Sequence, residues 1–272
     1  MAARSLVSFA LLAAASAAVV TFAACGSDDS DVTPPDASSP AEDGGDEAAT
    51  DADGPADAGL DAPVVVPDAG WVGPDGGISG AMNFFVTSKG KGNGGDFRAD
   101  PSDADGLAGA DAFCKSLAEA VSPVLGAKTW RAYLSTSTVT ARSRIGPGPW
   151  VNAKGVVIAN DTAHLHDEGA PNLLSLDTNL DENGEPVPIS GPNEHDILTG
   201  ATASGGSAAD TCANWTSSAT DVKGQVGHSN RNGGGSAPTS WNASHASFGC
   251  AEAGENSVRR GGGRGSIYCF AN

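Results

Sequence analysis

The cysteines constrain this chain more than any other feature of its sequence. There are five of them: Cys25, Cys114, Cys212, Cys250 and Cys269. An odd number in an exported protein leaves one cysteine over, and the even remainder favours disulfides, which persist outside the cytoplasm. The last four could pair in three ways, and their spacing does not decide among them. No two cysteines lie two to four residues apart, so a cysteine-type zinc site is not indicated.

Cys25 ends an N-terminal segment with the layout of an export signal. Arg4 is the only charged residue before it, and an apolar run follows from Leu6 to Val20. The block Phe-Ala-Ala-Cys-Gly at 22–26 resembles a bacterial lipobox, with Phe where Leu is usual. We therefore predict a lipoprotein signal peptide at 1–24 and lipid attachment at Cys25, the alternative being an ordinary secretory signal. A transmembrane span is disfavoured, because the run is short and no basic residue follows it closely.

The segment after the signal peptide, residues 25–80, has a composition that does not favour folding. Positions 26–80 contain 14 Asp or Glu and no Lys or Arg, and the rest is mainly Ala, Gly, Pro and Ser. Such a segment has too little apolar surface to offset the entropy lost on ordering, so we predict a disordered tether. Most of the net charge of −18 lies here, and an acidic chain argues against a nucleic-acid partner. The expected partner of this end is a membrane, through the lipid anchor.

Residues 81–272 are expected to form one folded domain of the α+β class, large enough for a sizeable core. A helix is predicted at 106–121, where apolar residues recur at spacings of three and four up to Pro123. Residues 161–211 are rich in Asp, Asn, Gly, Pro and Ser and predict long irregular loops. Strands are predicted at 83–88, 129–137, 223–228, 246–250 and 266–271, with a hairpin at 149–160 that turns at Lys154-Gly155.

Several segments of this domain together resemble endostatin, whose fold is C-type lectin-like. They are TWRAYLSTS at 129–137 after a cysteine-bearing helix, CANWTS at 212–217, GQVGHSNR at 224–231, Cys250, and the terminal IYCFAN. With the lipobox and the tether, the chain is most similar to bacterial endostatin-like lipoproteins, such as spirochaetal outer-surface proteins that bind host factors. The resemblance covers about 84–272 and implies a loop-rich fold with the disulfides Cys114–Cys269 and Cys212–Cys250.

Three segments resemble calcium-binding motifs but lack essential ligands. GPNEHD at 191–196 and SWNAS at 240–244 are similar to the sugar-binding calcium motifs of C-type lectins, but Gly191 and Ala243 stand where acidic ligands are needed. DTNLDENGE at 177–185 has the alternating oxygen ligands of a calcium loop, but Glu182 occupies the position of the turn glycine. We therefore expect no calcium site.

Histidine and nucleophile chemistry are equally sparse in the sequence. His164 and His166 could share a zinc ion only with a third ligand, which the sequence does not show. His195, His228 and His245 have no identifiable partner. No Gly-x-Ser-x-Gly elbow and no phosphate-binding glycine loop after a strand is present. We predict no metal, no cofactor and no catalytic residue.

One arginine cluster is the sequence candidate for ligand binding. Arg259, Arg260 and Arg264 lie in VRRGGGRG beside the last predicted strand. Guanidinium groups suit carboxylates and sulfates, and Trp241 could offer a flat face to a sugar ring. The alternative is a solvated turn whose arginines offset the nearby Glu252 and Glu255.

These features together predict a lipid-anchored protein of the bacterial cell envelope, at the outer-membrane surface. Its folded domain is expected to bind an extracellular glycan or protein without catalysing a reaction. One alternative is a structural or envelope-assembly lipoprotein. A second alternative is a secreted hydrolase whose site has no recognised motif.

Overall fold

The computed structural model describes residues 77–272. The predicted signal peptide, the lipid-attachment site at Cys25 and nearly all of the tether lie outside the described residues. Within 77–272, no helix is both long enough and apolar enough to cross a membrane.

The predicted helix forms as α1, Leu107–Val121, and its apolar face is buried as the spacing indicates. The Asp105 carboxylate accepts a hydrogen bond from the Leu107 backbone N–H at 2.9 Å, which satisfies one of the free donors of the first turn. The helix ends at Ser122, whose hydroxyl accepts from the Val124 N–H and begins a second, one-turn helix. Pro123 therefore closes α1 and also opens α2.

The other elements within residues 77–272 are eight strands, three one-turn helices and a short 3-10 helix at Ala141–Ser143. The small sheets and few helices make the domain α+β, as predicted. The strand β5 lies inside the stretch that the sequence predicted to be irregular, and β8 begins within the predicted glycine turn. The strands are β1 Phe84–Val86, β2 Trp130–Ala132, β3 Trp150–Val151, β4 Val157–Ala159, β5 Asp196–Leu198, β6 Gln225–His228, β7 His245–Ala246 and β8 Gly263–Ala271; the short helices are α2 Pro123–Gly126, α3 Thr162–Leu165 and α4 Cys212–Trp215.

The last strand, β8, organises the main sheet. Its C-terminal half lies between β1 and β2, both antiparallel to it, and its N-terminal half pairs in parallel with β5. From β5 the sheet continues through β6 to β7 in antiparallel pairs. The β3–β4 hairpin forms a separate two-stranded sheet, as predicted. All nine residues of β8 are buried, so β8 is the centre of the fold.

Side chains of β8 alternate between two apolar clusters on opposite faces of the sheet. Ile267, Cys269 and Ala271 pack in the cluster that contains α1. Tyr268 and Phe270 pack in an aromatic cluster on the other face. This alternation is the two-residue period of a strand buried on both faces.

Two disulfides join distant parts of this scaffold. Cys114 of α1 bonds to Cys269 of β8, and Cys212 bonds to Cys250. These are the two pairs that the endostatin resemblance implies. The first fixes α1 against the central strand, and the second holds α4, where four consecutive non-glycine residues have φ between 48° and 65°. A left-handed turn of this kind costs about 1–2 kcal/mol per residue, so the surrounding bonds must hold it in place.

Candidate metal centre

Three histidines and one aspartate meet where β5, β6 and β7 lie side by side. Asp196 begins β5, and the antiparallel register places it opposite His228, the last residue of β6. His245 begins β7 and lies opposite Val226, two residues before His228. Side chains opposite or diagonal to one another on one face of a sheet are within reach. His195 directly precedes β5, and its ring stacks on that of His228 with 4.4 Å between centroids.

All three imidazoles direct Nε2 at the same carboxylate oxygen. The distance from Asp196 Oδ1 is 3.3 Å to His195 Nε2, 3.3 Å to His228 Nε2 and 3.5 Å to His245 Nε2. The Asp196 side chain is 2% exposed and that of His228 is fully buried, whereas that of His245 is 23% exposed. Asp196 Oδ1 and His228 Nε2 have no hydrogen-bond partner within residues 77–272. A buried carboxylate oxygen therefore has three imidazole nitrogens within 3.5 Å.

The opposite nitrogen of each ring also has a protein partner. His195 Nδ1 lies 3.1 Å from Asn230 Oδ1, His228 Nδ1 lies 3.0 Å from the Pro238 carbonyl, and His245 Nδ1 lies 3.0 Å from the Ala246 carbonyl. The Asn230 oxygen also accepts the Asn232 backbone N–H, which fixes its identity as an acceptor. The partners of His195 and His245 are acceptors, so their Nδ1 atoms carry a proton, and in the neutral rings Nε2 presents a lone pair to Asp196. His228 Nδ1 lies beside the Pro238 carbonyl, which accepts, and also 3.2 Å from the Ser244 hydroxyl, which can donate or accept.

Protonation can relieve only part of this clash between acceptors. The Asp196 carboxylate raises the pKa of His245, whereas burial lowers the pKa of His195. Burial raises the pKa of Asp196, but donation from the His228 and His245 N–H groups lowers it to about 2 overall. A protonated His245 would satisfy one contact of the carboxylate, and the lone pair of a neutral His195 would still face it.

A divalent transition-metal ion would satisfy His195, Asp196 and His228 at once, and His245 Nε2, 3.5 Å from the same carboxylate oxygen, is a fourth candidate ligand. Metal-bound histidines usually donate their other N–H to a carbonyl or carboxylate, as all three histidines do here. Bonds of about 2.0–2.1 Å to a tetrahedral zinc ion place neighbouring ligand atoms about 3.4 Å apart, close to the separations from Asp196 Oδ1. The ligand atoms of His195, Asp196 and His228 all lie within 4.8 Å of one another. The His195 and His228 rings are nearly parallel, so they must tilt towards each other before both lone pairs point at one ion.

Two glycine triplets, at 233–235 and 261–263, pack against this cluster. A Cβ atom on Gly233 would lie 2.7 Å from His195 Cε1, and one on Gly261 would lie 2.7 Å from Asp196 Oδ2. Side chains at these two positions would therefore push on the imidazole and the carboxylate. The glycines of VRRGGGRG therefore leave room for the side chains of the histidine cluster, and not for an anion bound by the arginines.

A cavity of about 350 Å³ opens beside the cluster. Its lining includes His195 and His245, the backbone of three glycines, and the ring of Phe248. His245, the most exposed of the four clustered residues, lies at the boundary between the cluster and the cavity. An ion at the cluster would therefore be reachable from solvent on this side.

Of the residues predicted to form a sugar and sulfate site, Arg259, Arg260, Arg264 and Trp241, the structure buries Trp241 and Arg264. Trp241 is 1% exposed and packs among Tyr133, Tyr268 and His166, so it offers no face to a ligand. Arg264 is also buried, because its guanidinium binds the Glu194 carboxylate, the Thr87 carbonyl and the Ser266 hydroxyl.

The two remaining arginines of the predicted site are exposed. Arg259 forms an ion pair with Glu252, and Arg260 lies 3.5 Å from Glu255, as the alternative interpretation of a solvated turn expected.

The other segments considered for metal binding use their polar atoms internally. His164 and His166 each have both ring nitrogens within hydrogen-bond distance of protein atoms, so they do not share an ion. In 177–185, the Asp181 carboxylate accepts the N–H groups of Asn183 and Glu185 and closes a turn. In 240–244, the amide of Asn242 donates to Tyr133 Oη.

The sequence showed no partner for His195, His228 or His245, and the structure brings all three to Asp196. The three histidines without an identifiable partner therefore converge, whereas His164 and His166, which are two positions apart in the sequence, do not meet at a common site. The His195-Asp196 pair stands at the start of β5, His228 ends β6 and His245 begins β7, so each lies at one end of a short strand.

Comparison with known proteins adds no family to this description. No protein-family model matches the chain, and no curated protein matches it. The endostatin resemblance therefore stays a prediction.

Proposed function

We propose that the folded domain is a metal-binding module whose ion, Zn²⁺ or a similar divalent transition metal, is held by His195, Asp196, His228 and His245. The single observation that supports it is the buried Asp196 Oδ1, which three imidazole Nε2 atoms approach within 3.5 Å and which has no hydrogen-bond partner within residues 77–272. Imidazole nitrogens with one carboxylate oxygen form a ligand set that suits Zn²⁺.

We also propose that this module is displayed by a lipid-anchored protein of the cell envelope and acts by binding rather than catalysis. The lipobox-like segment and the acidic composition of 25–80 support the anchor and the tether. The two disulfide pairs support an endostatin-type, C-type lectin-like domain in an oxidising compartment. In this proposal the bound ion is the means by which the domain contacts an extracellular glycan or protein.

Metal binding can be tested on the full-length protein by calorimetric titration with Zn²⁺ and by metal analysis of protein purified without chelators. We expect one Zn²⁺ per chain and a melting temperature that falls when the ion is removed. An ion at 100 times its dissociation constant adds about 2.7 kcal/mol to the free energy of unfolding. His228→Gln should remove the effect, and His164→Gln should leave it intact. Equal Zn²⁺ binding by His228→Gln and the wild type would refute the proposal.

The anchor is tested separately with Cys25→Ala. The substituted protein should leave the membrane fraction and lose acyl labelling, while the Zn²⁺ stoichiometry of the domain stays the same. Unchanged membrane partitioning and acyl labelling would contradict lipidation at Cys25.

A further inference from the structure

The cavity beside the cluster has chemistry of its own that the four ligands do not use. Phe248 lines it and is 50% exposed, which is unusual for a large aromatic ring in a monomeric domain. The Arg260 guanidinium carbon lies 5.6 Å from the centroid of this ring, within the range of a cation–π contact. An apolar surface, a cation and the candidate ion therefore lie around one opening.

Arg260 is only weakly engaged by the protein. Its one ion pair is the 3.5 Å contact with Glu255, a side chain that is itself 92% exposed. The neighbouring Arg259 is bound more closely by Glu252, through Nε and Nη2. Exposed pairs contribute little to stability, so Arg260 can exchange Glu255 for another carboxylate at small cost.

The glycines on the cavity wall leave room for a ligand to approach the cluster. Gly234 has no neighbouring atom within 4 Å of a Cβ position, so the space over it is open. The backbone of Gly235 and Gly261 lines the same cavity, next to His195 and His245. A cavity of about 350 Å³ is at the lower end of the range for small-molecule sites.

We propose that this cavity binds a small organic carboxylate that carries an aromatic or apolar group. The carboxylate coordinates the ion on the His245 side as an additional ligand, since zinc sites can expand to five ligands. The apolar group packs on Phe248, and Arg260 pairs with the carboxylate at the rim. This inference rests on the proposed metal centre and adds the class of ligand that the centre recognises.

The test uses the full-length protein loaded with Co²⁺, whose visible absorption reports coordination number. Benzoate is the probe, and benzamide is the neutral control of the same shape. Four-coordinate Co²⁺ absorbs strongly, and we expect benzoate, but not benzamide, to weaken this absorption in a saturable way. Arg260→Met and Phe248→Ala should each weaken benzoate binding about tenfold, as expected for loss of a charge-assisted or an aromatic contact. Arg259→Met should leave it unchanged.

The outcomes separate this inference from the metal centre itself. A four-coordinate Co²⁺ spectrum that benzoate does not change would overturn the carboxylate site and leave the metal centre standing. An equal response to benzamide would overturn recognition of the charge, and a response unaffected by Arg260→Met and Phe248→Ala would overturn the placement of the ligand. Absence of any bound Co²⁺ would overturn both proposals.

Discussion

Asp196 Oδ1 lies 3.3 Å from His228 Nε2, and neither atom has a hydrogen-bond partner within residues 77–272. Both atoms are buried, and when His228 Nδ1 donates to the Pro238 carbonyl both of them are acceptors. A buried acceptor without a partner costs about 1–3 kcal/mol, and two that face each other also repel. A bound cation converts the same two atoms into ligands, so this pair distinguishes a metal site from an ordinary buried polar contact.

Replacement of Asp196 by Asn should separate metal binding from stability. The Asn amide can donate to an Nε2 lone pair, so we expect the metal-free variant to melt no lower than metal-free wild type. The variant should nevertheless lose the stabilisation by Zn²⁺. For a domain of this size, about 2.7 kcal/mol corresponds to roughly 5–10 °C in melting temperature. Thermal melts with and without EDTA measure both effects.

Asp111→Asn is the contrasting control for that experiment. The Asp111 carboxylate contacts Arg131 and Arg144 and accepts the Ala132 backbone N–H, all distant from the cluster. This variant should melt lower than wild type and keep its full response to Zn²⁺. A metal-free Asp196→Asn variant that is strongly destabilised would indicate that Asp196 acts as a structural ion-pair partner.

Addition of one methyl group at Gly261 should weaken metal binding. The new Cβ would lie 2.7 Å from Asp196 Oδ2 and would displace the carboxylate from the three imidazoles. Because misplaced ligands lose affinity steeply, we expect Gly261→Ala to lower Zn²⁺ affinity by at least about tenfold. Gly234→Ala is the matched control, since a Cβ there meets no atom within 4 Å. Equal affinities of the two variants in competition titrations with a chelator would contradict the packing role of Gly261.

The helix α1 and the strand β8 could be predicted from sequence because local patterns determine them. The spacing of Ala110, Cys114 and Leu117 forms one apolar helix face, and IYCFA is a continuous buried strand with alternating contacts. Burial of these side chains is the dominant energy at both elements, and it appears directly in the order of residues.

The metal cluster could not be predicted in the same way because it depends on strand register. Asp196 and His228 are neighbours only through the β5–β6 pairing. The sequence did not predict β5, because this strand lies in a stretch rich in loop-forming residues. The sequence also did not show whether an individual side chain points into the core or into solvent. Arg264 points inward because Glu194 and the Thr87 carbonyl lie beneath β8, a contact between residues far apart in sequence.

The two disulfides should each contribute substantially to stability. They close loops with sequence separations of 155 and 38 residues, and the entropy of closing such loops corresponds to about 3–5 kcal/mol per bond. The double variants Cys114→Ala/Cys269→Ala and Cys212→Ala/Cys250→Ala should lower the urea midpoint, and Cys25→Ala should not. Non-reducing peptide mapping should recover the same two pairs. Any other pairing would contradict the fold described here.

Arg264 and Arg259 lie five residues apart, and their loss should have very different effects on stability. The Arg264 guanidinium, at 9% residue exposure, lies 2.7 Å from the Glu194 carboxylate and also binds the Thr87 carbonyl. Arg264→Met keeps most of the apolar stem and leaves Glu194 without its cation, so we expect a loss of about 3–5 kcal/mol in the free energy of unfolding. Arg259→Met removes an exposed pair with Glu252 and should change that free energy by less than about 1 kcal/mol. Urea titrations of both variants measure the difference, and equal losses would contradict the inward orientation of Arg264.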